Sequence, residues 1–129
     1  MDPVGVPLCL YLRANLTSTI LFEANLSGAN LNQANLSNAV LGRAVLLGAF
    51  LRNATLVEAI LVVANLTGAD FTGAALTGAD LTGADLSNTE HLTQEQIELA
   101  LGNEYTNLPD HLERPAHWST NTDEQIEGV

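Results

Sequence analysis

Three histidines, His91, His111 and His117, and a single cysteine, Cys9, are the side chains of this chain best suited to hold a metal. Zinc sites take imidazole and thiolate ligands at short, recurring intervals. These four residues follow no such interval, and Cys9 stands at the opposite end of the chain. Surface or capping roles suit the histidines, and Cys9 fits a buried small-residue position. Nucleophilic catalysis would need Ser, His and Asp on a common element, and acid–base work would need convergent carboxylates. Neither arrangement is present, and no glycine-rich loop has the spacing that cradles phosphate. The LTGAD run over 66–85 is rich in glycine only because its turns need glycine. Its threonines, Thr67, Thr72, Thr77 and Thr82, sit on successive different faces and make no flat ice-binding array. No enzyme activity, cofactor, metal or small-molecule substrate is expected.

Charge and composition narrow the remaining classes. Fifteen acids face four arginines and no lysine, a formal charge of −11 over 129 residues. A nucleic-acid binder needs a basic footprint, and an anionic membrane surface needs one too, so neither is an expected partner. The start, MDPVGVPLCLYL, has no positive n-region and carries Pro3 and Pro7, so it does not read as a secretory signal. No apolar run approaches the ~20 residues of a spanning helix. Cytoplasmic location is the default. Hydrophobic residues make up 47% and aromatic residues only 5%, which suits one small, aromatic-poor domain.

The element that must position everything is a repeat. From Ala14 onward the pattern Ala-x-Leu-x-x recurs every five residues, from Leu16 to Leu86, with Phe71 once in the leucine place and Thr19 once in the alanine place. Fifteen consecutive units result, with weaker ones upstream at Cys9/Tyr11 and Val4/Val6. On an α-helix five residues advance about 500°, so the leucines would circle the surface. On a continuous strand an odd spacing would send alternate leucines to opposite faces. The pattern closes only if the chain turns a corner once per unit, always the same way. Ala and Leu then point inward from a short extended piece, and Gly, Asn and Ser crowd the corner. Four corners of roughly 90° complete a coil of about twenty residues, and coils stack at ~4.8 Å.

The units AN-L at 14–16, 24–26, 29–31, 34–36 and 64–66, and AD-L at 79–81 and 84–86, resemble the A(D/N)Lxx consensus of the pentapeptide-repeat proteins. The resemblance covers about residues 9–90. It implies an all-β fold, a right-handed quadrilateral β-solenoid with stacked Leu, Phe and Ala inside, here with a short C-terminal α-helical cap. Departures fall between Ala and Leu, where Val40, Val45, Phe50, Thr55 and Ile60 replace Asn or Asp. They leave the fold alone and change the outer surface.

Such a coil exposes its core at both ends. Residues 1–8 read as an N-terminal edge that Pro3 and Pro7 would blunt, and 9–90 as the solenoid. The repeat breaks at Thr89-Glu90-His91, with His in the leucine place. Thr93-Gln94-Glu95-Gln96 reads as a capping box opening a helix over 94–101, with Gly102 as its stop. Ile97, Ala100 and Leu101 would share the face laid over the last coil. A second turn near Pro109 would leave Leu108 and Leu112 to continue the lid, with Trp118 as its anchor. Residues 91–118 also resemble a tail that follows the repeats in bacterial members of the family. The segment 119–129 lacks an apolar pattern, and its composition predicts disorder.

Residues 90–129 carry nine acids and Arg114, whereas 9–89 carry five acids against Arg13, Arg43 and Arg52. The solenoid is therefore nearly neutral. Some members of the family protect DNA gyrase by resembling a B-form duplex, which implies binding to a type II topoisomerase as an alternative function. That mimicry needs a long negative rod, since a duplex carries a charge per ~1.7 Å. Four coils span only ~20 Å, and Asp70, Asp80 and Asp85 fall on three different faces.

One face stands out when residues twenty apart are stacked. It collects Ile20, Val40 and Ile60 in one column and Phe22, Gly42 and Val62 in the next, with Val45 and Leu47 around the corner. The columns Asn15/Asn35/Thr55, Asn25/Val45/Asn65 and Asn30/Phe50/Asp70 are mostly wettable. Three explanations stay open: a docking surface of a few hundred Å² for a protein partner or a second copy, ordinary β-branched strand residues, or cover by the tail. The expected function is a non-catalytic interaction or structural module, with Ile20, Phe22, Val40, Ile60 and Val62 as its candidate face. Glu23 and Arg43 would stack beside it as an exposed pair.

Overall fold

Each unit must turn between its leucine and the next alanine, and the hydrogen bonds show how. The computed structural model describes residues 13–119. The N–H of an alanine donates to the carbonyl of the leucine three residues before it, as from Ala24 to Leu21 and from Ala44 to Leu41, both at 3.0 Å. The residue just ahead of that alanine has a positive φ, from Glu23 (63°) through Val63 (60°) to Gly83 (69°). A positive φ at the third residue of a four-residue turn is the mark of type II geometry. Glycine meets that demand without strain, which explains its concentration at this one place in the unit.

The extended pieces between turns are too short for regular strands and pair as single parallel bridges. Asn15 pairs with Asn35, Ile20 with Val40, Asn25 with Val45 and Asn30 with Phe50, each partner twenty residues on. Five-residue units and a twenty-residue register make a four-sided coil. We name its sides by their outward residues: A carries Asn15/Asn35/Thr55/Ala75, B carries Ile20/Val40/Ile60/Asp80, C carries Asn25/Val45/Asn65/Asp85 and D carries Asn30/Phe50/Asp70/Glu90. Corner amides join the ladder as well, Ser18 N–H donating to Ser37 O at 2.9 Å. The chain is a β-solenoid.

Inside, the leucines from Leu31 to Leu86, with Phe71 in their series, are buried, as are the alanines from Ala29 to Ala84. Leu16, Leu21 and Leu26 of the first described coil are partly buried against them. Outside, the Asn or Asp between Ala and Leu serves the turn: its Oδ1 accepts from the backbone N–H two residues on, as Asn65 does from Thr67 (3.1 Å) and Asp85 from Ser87 (3.0 Å). Such Asx contacts are why the consensus wants those two residue types there.

The repeat ends by a slip of one residue. Glu90 still pairs with Asp70, but His91, in the leucine place, takes φ 61° and turns outward. Leu92 fills the core position one residue late and is buried. Helix α1 (Gln94–Glu98) then opens on the predicted capping box of Thr93 and Gln96. Its Ile97 is buried, and Gln96 Nε2 donates to the carbonyls of Phe71 and Ala74, both at 2.9 Å.

Past α1 the structure departs from expectation. The helix does not run to residue 101; Leu99 is its C-cap. Leu101 returns to side B, pairing with Asp80 through its N–H to Ala79 O (2.8 Å) and its carbonyl to Leu81 N–H (2.7 Å). The open ladder edge outcompetes another helical turn, so Leu101 faces outward and is exposed rather than sharing the inner face of Ile97 and Ala100. Gly102 is not a helix stop either. A Cβ there would lie 2.6 Å from Cε3 of Trp118, so the glycine makes room for the indole. Asn107 pairs with Asp85 on side C. Pro109 begins a turn closed by Leu112 N–H on its carbonyl (3.1 Å), and Leu108 and Leu112 pack partly buried against the core. Helix α2 (Ala116–Ser119) brings in Trp118, buried, with Nε1–H donating to Ala100 O at 2.9 Å. The expected N-terminal edge 1–8, the Cys9 position and the tail beyond residue 119 lie outside the described residues. No described helix is long and apolar enough to cross a membrane.

Candidate functional site

Side B owes its chemistry to three departures in one column. Parallel bridges set Ile20 beside Val40 and Val40 beside Ile60, so the β-branched side chains stack outward in a line. Ile20 is 70% exposed and Ile60 42%, while Val40 is half-buried. The corner column beside them holds Phe22, Gly42 and Val62. Phe22 lays its ring on Gly42: a Cβ at residue 42 would sit 3.2 Å from Phe22 Cδ1. The ring fills the space that the missing side chain leaves, and about half of Phe22 still faces solvent. Ile20, Phe22, Val40, Ile60 and Val62 therefore do share one continuous face. Above Ile60 the column turns polar at Asp80, whose carboxylate accepts from the Thr82 N–H (3.0 Å) and hydroxyl (2.6 Å).

Val63 belongs to this surface and was not singled out from the sequence. It is half exposed at φ 60°. A left-handed backbone costs an L-residue about 1–2 kcal/mol, and a β-branched side chain suffers most. The signal was available: a valine stands where the other units place glycine or a polar residue. Leu47 and Phe50 are exposed too and carry apolar surface onto sides C and D at the level of the same coil.

The polar surroundings are local. Arg43 Nη1 lies 3.6 Å from Glu23 Oε2, both side chains well exposed, so the predicted pair forms and contributes at most ~1 kcal/mol. Asp70 on side D lies below the usual carboxylate value of 3.8: burial pushes it up, but hydrogen bonds from Thr72 and the charges of Arg52 and His91 outweigh that. Asp85 on side C is held down chiefly by the Ser87 hydroxyl. Asp70, Asp80 and Asp85 occupy three sides and form no acidic stripe.

The histidines do not converge. The His111 ring bonds to Leu92 O (3.0 Å) and the His117 ring to Ala100 O (3.1 Å), while His91 is exposed. Among the described residues no three His, Cys, Asp or Glu side chains group to hold a metal. A cleft of about 390 Å³ between the last coil and the tail is lined by Ser87, Asn88, Asp110 and His111 among others. Its serine is not a nucleophile–base pair with that histidine, because Ser87 Oγ donates to Asp85 at 2.6 Å.

The four-sided register and the Asx-capped turns agree with sequence comparison, in which the family model for pentapeptide repeats matches residues 12–38, 19–56, 34–73 and 51–88 in eight copies. The chain belongs to the pentapeptide-repeat family. Its coil is accordingly a right-handed β-solenoid. Among curated proteins no match is found. Solved structures include alr5209, a pentapeptide repeat protein from Nostoc PCC 7120, 27% identical, over 88% of this chain and 93% of that one, with a TM-score of 0.49. HetL from the same cyanobacterium, a pentapeptide repeat protein involved in heterocyst differentiation regulation, is 30% identical over 77% of this chain, with a TM-score of 0.28; this chain spans only 53% of it. QnrB1, a plasmid-mediated fluoroquinolone resistance protein, is 16% identical over 89% of this chain and 66% of that one, with a TM-score of 0.41.

Proposed function

We propose that this pentapeptide-repeat protein is a non-catalytic interaction module that docks a protein partner, foreign or a second copy, on side B. The carrying observation is the exposed column Ile20/Val40/Ile60 with Phe22 and Val62 beside it. In a coil whose other outward positions are mostly Asn, Asp or Thr, each apolar residue in that column forgoes an Asx contact to its turn. Val63 adds a strained, exposed valine at the edge of the same patch. Surfaces that give up local stability to present apolar groups are suited to recognition. In this reading the coil is quadrilateral, and α1, α2 and the segment between them are a lid on its last rung, which leaves side B open below Leu101. Duplex mimicry would instead require a continuous negative face, and the acids of sides B, C and D do not supply one.

The test compares wild type with a variant carrying Ile60→Lys and Val62→Lys. Light scattering across a tenfold concentration range comes first; a mass near twice 13.6 kDa makes side B a self-association seam. For a monomer, the readout is a stoichiometric partner in a pull-down. The expected result is a native circular-dichroism spectrum with association lost. Unfolding of the variant, or association that survives the two lysines, refutes the proposal.

A further inference from the structure

On the corner between sides D and A, diagonally across the coil from the apolar patch, a cleft of about 350 Å³ is lined by Arg13, Asn32, Gln33, Arg52 and Asn53. No acid lines it. That is notable in a chain with a net charge of −11 and only four arginines. Three successive rungs build it: Arg13, Gln33 and Asn53 share one corner column, and Asn32 and Arg52 share the next. Backbone bonds from Arg13 N to Asn32 O (2.9 Å), Gln33 N to Arg52 O (2.8 Å) and Asn53 N to Thr72 O (2.7 Å) hold the register. The first and third rungs are ~10 Å apart, a span that two arginine side chains can close from both ends.

The orientation of the amides matters more than the charge count. Gln33 Oε1 accepts from Arg13 Nε. Asn32 Oδ1 accepts from the backbone N–H of Arg52 at 2.9 Å. Asn53 Oδ1 lies against Gly73, in the space a Cβ there would occupy. With the oxygens of Asn32 and Gln33 committed to the protein, those two amides have only their NH2 donors left to offer a ligand. Arg52 is steadied by Asp70, Nε to Oδ2 at 3.7 Å, and Arg13 has no acidic partner among the described residues. Guanidinium forks match oxyanions bidentately.

We propose that this cleft is a binding site for a small oxyanion, a phosphate or carboxylate group, held by Arg13 and Arg52 with the amides of Asn32, Gln33 and Asn53. It is independent of the side B reading. The experiment is an amide NMR titration of the full chain at constant ionic strength, one arm with inorganic phosphate and one with succinate. Saturable shifts centred on Gln33, Arg52 and Asn53 are expected in at least one arm, and the arm that responds names the oxyanion. The variant Arg13→Gln with Arg52→Gln should weaken binding at least tenfold. Gln33→Glu, which keeps both arginines and adds an acid to the cleft, should weaken it as well and serves as the readout if the double variant does not fold. Absence of saturable shifts in both arms overturns the proposal. So does undiminished binding in the double variant, or undiminished binding in Gln33→Glu.

Discussion

Leu46 and Val45 are chain neighbours on side C, and the solenoid register demands that they respond to truncation in opposite ways. Leu46 is fully buried, stacked between Leu26 and Leu66 of the adjacent coils. The hydrogen bonds from Leu46 N to Asn65 O and from Leu26 N to Val45 O, both 2.7 Å, fix the rung spacing on either side of it. A cavity made by Leu46→Ala therefore cannot collapse along the coil axis. Leucine-to-alanine losses in cores run from about 2.7 to 5 kcal/mol, with the larger values where the site stays open. We expect about 4 kcal/mol. At roughly 4 °C per kcal/mol for a domain of this size, the midpoint should fall by ~15 °C. Leu46→Asp should abolish folding, because an unpaired buried carboxylate costs several kcal/mol more. Val45 points outward in the column Asn25/Val45/Asn65/Asp85. Val45→Asn would supply the acceptor that Asn65 gives to the Thr67 N–H at 3.1 Å, so it should leave stability unchanged or raise it by about 0.5–1 kcal/mol. Thermal denaturation followed by circular dichroism reads all three variants. A loss under ~1 kcal/mol for Leu46→Ala, or a larger loss for Val45→Asn than for Leu46→Ala, would refute the register.

Gly102→Ala should destabilise by about 1–3 kcal/mol, since the added methyl meets the buried Trp118 ring 2.6 Å away; a melting curve identical to wild type would show that the indole does not pack there. The pH dependence follows from Asp70 and Asp85, whose carboxyls lie below their ordinary value of 3.8 in the folded chain. Their stabilisation is complete above the unfolded-state value and is lost as pH falls through the lower folded values. The midpoint should thus hold from pH 7 to about 5 and drop below about pH 4. Asp85→Asn keeps the Asx contact without the titration and should shallow that acid limb; an equally steep limb in the variant sinks the assignment.

The coil was legible in the sequence because its cause is periodic. Any five-residue spacing of leucines from Leu16 to Leu86 has one geometric solution, and the twenty-residue register then follows, with side B and its five apolar residues. What was not legible is set by contacts between residues that no period relates. Gly102 looks like a helix terminator until Trp118 is seen lying on it. Leu101 fits an amphipathic helix until the unpaired edge at Ala79 and Leu81 offers it a ladder. His91 in the leucine place signals an ending, but not that a single left-handed residue would let Leu92 take over the core. The arginine cleft escaped for a related reason: Arg13 and Arg52 stand in adjacent columns two rungs apart, so stacking residues twenty apart never brings them together.

The division of labour within each unit explains where function can be written in such a chain. The alanine and leucine places are constrained by the core, and the place before each alanine is constrained by its positive φ. Only the outward residue between Ala and Leu and the first corner residue are free, and even there Asn or Asp is favoured by the turn it caps. A chain under no demand but folding would keep that cap on every side. Val40, Val45, Phe50, Thr55 and Ile60 abandon it through one complete circuit of the coil, and Val63 accepts a backbone region that glycine occupies freely at Gly28, Gly48 and Gly68. Ile20 makes the same concession in the first described coil, but the unbroken run lies in the middle coils, away from α1, where a fold-building explanation such as end capping has no purchase. Under the docking function proposed above, recognition by the coil's flank, rather than by its ends, is what that placement would serve.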